Sequence, residues 1–113
     1  MRPTLKMLLT LAILVTTPLL LSTVFASAQS FSCASAQTSS EFAICNSEEL
    51  QGLDEKMAAV YYQHKSGLQT TPQRQQFSRD QSAWKRLRNQ CDLDWTCLTL
   101  RYNERIHTLA SIK

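Results

Sequence analysis

The chain reads as an all-α protein: a small, disulfide-stapled antiparallel helical bundle with three main helices and a short leading helix. Three observations predict it. Apolar residues recur at steps of three and four through three successive segments. Beyond residue 28 there are only one proline and two glycines, too few for a β-sandwich that turns roughly every 8–12 residues. Four cysteines, Cys33, Cys45, Cys91 and Cys97, stand in a chain too small to rely on a large core.

The first segment is not part of that bundle. Arg2 and Lys6 precede an apolar run from Met7 to Leu21, and Ala26-Ser27-Ala28 gives a small-x-small ending. This is the layout of a secretory signal peptide. The apolar run falls short of the roughly 20 residues that span a bilayer, and Pro18 interrupts it. The expectation is a cleavable signal over 1–28 and a domain over 29–113, in the periplasm or secreted, with no stable membrane anchor after cleavage. Val24-Phe25-Ala26 offers an earlier cut before Ser27. Cys33 follows Ser30-Phe31-Ser32, which does not suit a lipid-acceptor site. Beyond residue 28, ten basic and nine acidic residues leave a net charge of +1. The one basic cluster, Lys85-Arg86-x-Arg88, is too small a footprint for nucleic acid.

An even cysteine count in an exported small domain implies disulfides. The gaps of 11, 45 and 5 residues lack the close pair of a zinc site, so neither metal nor cofactor is expected. Of three possible pairings, Cys33–Cys45 with Cys91–Cys97 closes two short local loops and is favoured. By chain entropy the first loop contributes about 3 kcal/mol and the second about 2.4 kcal/mol.

Gln29 to Gln37 is aperiodic and reads as an extended lead-in. Thr38 and Glu41 form a capping box for a short helix from Ser39 to Cys45. Asn46-Ser47-Glu48-Glu49 opens a second helix with Leu50, Leu53, Met57, Val60, Tyr61 and His64 on one face. Gly67 followed by Leu68 fits a left-handed C-terminal stop near Ser66. Thr71 as N-cap and Pro72 as first residue start a third helix, with Phe77, Gln81, Trp84, Arg88 and Cys91 in a stripe. Asp94 caps the fourth, which places Leu98, Tyr102, Arg105, Ile106 and Leu109 on one side. Connections of four or five residues make neighbours antiparallel.

The stripes contain polar members. A buried guanidinium without a partner costs several kcal/mol, so Arg88 and Arg105 are expected to bond to Glu41, Asp54 or helix-end carbonyls. Glu104 is a further candidate partner. Glu41, Asp54, Gln81, Arg88 and Arg105 thus have a structural reading. His64 and His107 sit in no nucleophile motif, and no catalytic residue is assigned. Trp95 lies with Asp92 and Asp94 inside the Cys91–Cys97 loop, where a rigid aromatic makes a good interface anchor. The competing reading is that Trp95 folds back over the bundle end.

The ordered set Phe31-x-Cys33, Glu41-x-Ala43-Ile44-Cys45, Leu50-x-x-Leu53-Asp54, Tyr61 or Tyr62, Gln81-x-x-Trp84-x-x-x-Arg88-x-x-Cys91, Cys97-Leu98-x-x-x-Tyr102 and Arg105-Ile106-x-x-Leu109 resembles the lysozyme-inhibitor LprI N-terminal-like family of small exported helical proteins. The resemblance implies a non-enzymatic protein whose partner is a lysozyme or related muramidase, inhibited by occlusion of its cleft. The alternatives are an immunity or accessory protein for another exported toxin or cell-wall enzyme, and a structural envelope module. Candidate surfaces are Asp92, Asp94 and Trp95, and the lead segment Cys33 to Ser40. Local acidic patches, Glu48-Glu49 with Asp54-Glu55 or the Asp92/Asp94 loop, are the only electrostatic attraction the sequence offers a basic partner.

Overall fold

A computed structural model describes residues 29–113; the expected signal peptide, 1–28, lies outside the described residues. The described chain folds as an all-α bundle: a 3₁₀ turn over Cys33–Ser35, then α1 (Ser39–Cys45), α2 (Glu48–Gly67), α3 (Thr71–Asn89) and α4 (Trp95–Ala110). None of these helices is long and apolar enough to cross a membrane. The Gln29–Gln37 lead-in is therefore not extended throughout, because the 3₁₀ turn brings Cys33 to the end of α1. Disulfides join Cys33 to Cys45 and Cys91 to Cys97.

Each helix begins where a side chain can satisfy its free amides. Thr38 Oγ1 accepts from Glu41 N–H while the Glu41 carboxylate accepts from Thr38 N–H, the full capping box. Ser47 caps α2 and Asp94 caps α4. In α3 the cap is Thr70, not Thr71. Thr70 completes a box with Gln73, and this moves the helix start one residue back. At the end of α2 no glycine has positive φ. Gly67 stays helical, and extended Leu68 ends the helix with its carbonyl held by Arg74 Nη1 at 2.7 Å. The arginine replaces the left-handed glycine stop that the sequence suggests. The connections are two, three and five residues long rather than four or five.

The core gathers Ile44, Leu50, Met57, Tyr61, Trp84, Cys91, Leu98, Tyr102 and Leu109. α4 packs chiefly against α2, and α1 lies against α2 and α3. By contrast, α3 buries only Gln81, Trp84 and Arg88. With no buried aliphatic residue of its own, α3 is held by rings and polar bonds. The Tyr61 and Phe77 rings stack at 4.9 Å, and Tyr61 O–H donates to Ser78 Oγ at 3.3 Å. His64, partly buried, lies against Phe77 at 4.9 Å.

Candidate functional site

Two features stand out from the helical frame: a buried polar network, and a surface built on the α3–α4 turn. Asp54 is fully buried. Its Oδ1 accepts from Tyr102 O–H at 2.9 Å and from Ser30 Oγ at 2.6 Å, and its Oδ2 accepts from Ser30 N–H at 2.7 Å. Arg88, also buried, donates Nε and Nη2 to Asn89 Oδ1 at 3.0 and 2.8 Å and Nη1 to Tyr102 Oη at 3.4 Å. Its ion pair is with Glu41, at 3.5 Å. The guanidinium also faces the Phe31 and Trp84 rings at 5.5 and 5.7 Å, a cation–π arrangement that a guanidinium favours.

The expected arginine partners therefore hold in part. Arg88 meets Glu41, but Asp54 meets Tyr102 and Ser30 instead of an arginine. Arg105 donates Nε and Nη2 to Gln81 Oε1 at 2.9 and 2.7 Å, not to a carboxylate or a helix-end carbonyl. Glu104 pairs with Arg101 on the surface. Burial lowers the Arg105 pKa from its ordinary value, with Asp80 and Tyr61 opposing.

Burial, and then the neighbouring Asp54 charge, push the Tyr102 phenol pKa upward, against the smaller pull of Arg88. The phenol thus keeps its proton to donate. A raised folded-state pKa favours the folded form below the ordinary phenol value, and that contribution is lost as pH rises through the raised value. Absorbance titration is expected to show Tyr102 ionising only together with unfolding. Ionisation of Tyr102 while the far-ultraviolet circular dichroism stays folded would contradict it.

At the α3–α4 turn, Asp92 has φ 51°, a left-handed conformation that Asp tolerates better than most residues. Its carbonyl accepts from the buried Ser40 Oγ at 2.8 Å, which fixes the turn to α1. Asp94 Oδ1 accepts from Cys97 N–H at 3.0 Å, so this carboxylate is a helix cap. Trp95 leans back against the N-terminal end of α2 and stays half-exposed. Its Nε1 donates to Ser47 Oγ at 3.1 Å while 46% of the residue stays exposed. The structure adds Leu93, 68% exposed, and Leu100, 55% exposed. Trp95 and Leu100 border a shallow depression with Thr96, Thr99 and Asn103. Asp54, being buried, drops out of the expected acidic patch.

Ser30, Asn89 and Leu100 have no role in the sequence pattern, and Ser40 enters it only as the end of the lead segment. Ser40 was within reach, since it lies four residues before Ile44 and shares its helical face. Ser30 stands in an aperiodic segment and carries no comparable signal. No group of three or more His, Cys, Asp or Glu residues that could hold a metal occurs among the described residues.

The family model described as lysozyme inhibitor LprI matches residues 32–109. That span takes in both disulfides, the α3–α4 turn and all of the network except its Ser30 and Phe31 end. No curated protein and no solved structure matches.

Proposed function

We infer function from one premise: the chain belongs to the lysozyme inhibitor LprI family. We propose that it binds a lysozyme-type muramidase and inhibits it by occlusion, without chemistry of its own. Such enzymes act through two carboxyl groups that flank the scissile sugar bond, so a body that fills the cleft suffices. We propose further that residues 1–28 direct export, a reading supported by the signal-like sequence and by two disulfides in so short a chain.

The observation that carries the docking proposal is the half-exposed Trp95 ring. Ser47 holds it on one side, and the bridged Cys91–Cys97 turn holds it on the other. An aromatic fixed before contact loses little entropy on binding. Leu93 and Leu100 extend the apolar surface, and the exposed Asp92 supplies local negative charge. A net charge of +1 beyond residue 28 gives little long-range steering toward a basic enzyme, so the contact relies on shape and apolar burial.

Titration of several muramidases against the purified domain tests the inhibition. Inhibition is expected to saturate for at least one of them. Trp95→Ala is expected to weaken it by about tenfold or more, in the range of an interface anchor, with helicity unchanged. Absence of inhibition at micromolar protein against all of them would overturn the function. Undiminished inhibition by Trp95→Ala would overturn the surface.

A further inference from the structure

A second site lies away from the Trp95 surface, in a cavity of about 170 Å³ between the middle of α2 and the middle of α3. This is room for a group of several heavy atoms. Its walls are chemically one-sided. Lys65 and Lys85 line it, and no carboxylate does. Asp54 sits behind Ser30, with its oxygens taken by Ser30 and Tyr102.

The donors that line the cavity are not all used. Gln81, 7% exposed, gives its carbonyl oxygen to Arg105, but its amide nitrogen donates only to the Met57 thioether at 3.1 Å. A thioether is a weak acceptor, and a carboxamide has two hydrogens to place. Buried donors of this kind are normally better satisfied. Tyr62 O–H and Lys85 Nζ make no hydrogen bond or ion pair among the described residues. Lys65 Nζ is held over the Tyr61 ring, 5.7 Å from its centroid. Met57, Ala58 and Tyr61 supply apolar wall beside these donors.

We propose that this cavity binds a small organic carboxylate. The charged head would meet Lys85, Lys65 and the Gln81 amide, and a short apolar body would rest against Met57 and Ala58. Carboxylate fits better than phosphate. The lining has no arginine fork and no run of helix N-terminal amides, the two devices that commonly grip phosphate, whereas it does have apolar wall.

The test is an NMR titration of the full 29–113 domain with L-lactate, with phosphate and sodium chloride at matched ionic strength as separate arms. Lactate is expected to shift amide resonances of residues 57–65 and 78–85 saturably, with half-saturation on the order of 1 mM for so small a ligand. Lys85→Met, a change at an exposed position, is expected to weaken that saturation by about tenfold. Tyr62→Phe is expected to weaken it less. Helicity by circular dichroism should not change in either variant. No saturation by lactate, or saturation that survives Lys85→Met unchanged, would overturn the site. Equal or tighter saturation by phosphate would overturn the carboxylate assignment, and equal shifts with chloride would reduce it to screening. The muramidase titration does not read this cavity, so the two proposals stand or fall separately.

Discussion

Asp54→Ala is expected to lower the unfolding free energy by about 3–5 kcal/mol, the usual cost of removing one member of a buried charged network. The carboxylate is fully buried and accepts three hydrogen bonds, one from Tyr102 and two from Ser30. Its loss leaves the Tyr102 phenol with only the Arg88 contact, in which the phenol oxygen accepts. It also frees the Ser30–Phe31 strap that covers Arg88. Small domains have about 5–15 kcal/mol in total, so the variant would be close to unfolded in mild denaturant. Asp54→Asn keeps the shape and one acceptor and should lose roughly half as much. Urea unfolding followed by circular dichroism decides the matter. A loss under about 1 kcal/mol for Asp54→Ala would show that α2, α3 and α4 do not depend on this network.

Replacing both Cys33 and Cys45 by Ala is the second large change. Chain entropy alone assigns this bridge about 3 kcal/mol. The structural consequence adds to it, because the bridge ties the 3₁₀ turn to the end of α1 and so holds the segment that carries Ser30 and Phe31 against Asp54 and Arg88. At roughly 4–8 °C per kcal/mol for a domain of this size, the melting temperature should fall by about 12–24 °C. The same pair of substitutions at Cys91 and Cys97 should cost less, about 2.4 kcal/mol. Its turn keeps other ties, the Ser40 bond to the Asp92 carbonyl and the Asp94 cap. A melting temperature within about 3 °C of the parent for the Cys33/Cys45 variant would contradict the larger assignment.

The helices were legible because each has its own local signal. Thr38 with Glu41, Ser47, and Asp94 mark starts that depend only on neighbours within one turn. The one-residue shift from Thr71 to Thr70 has a plain cause: both are Thr, and only Thr70 stands three residues before Gln73. The stop at Gly67 misread a local rule because Arg74, from the next helix, supplies the missing contact. The polar partners were legible only in type. Stripe spacing shows that Arg88 and Arg105 lean toward the interior, but which oxygen each meets depends on helix crossing. Gln81 lies 24 residues from Arg105, and Tyr102 lies 48 from Asp54. The exposed Trp95 was visible as a candidate, but Leu100 joins it only because α4 turns both toward one depression.

Both sulfur pairs join cysteines that follow one another along the chain, the first with the second and the third with the fourth. A polypeptide emerging from its N-terminus would therefore present each partner to the only unpaired thiol then available. The first ring can close before the third cysteine appears. Correct oxidation thus needs an electron acceptor but no enzyme to reshuffle mistakes, and the protein should mature in a host that has the former and lacks the latter.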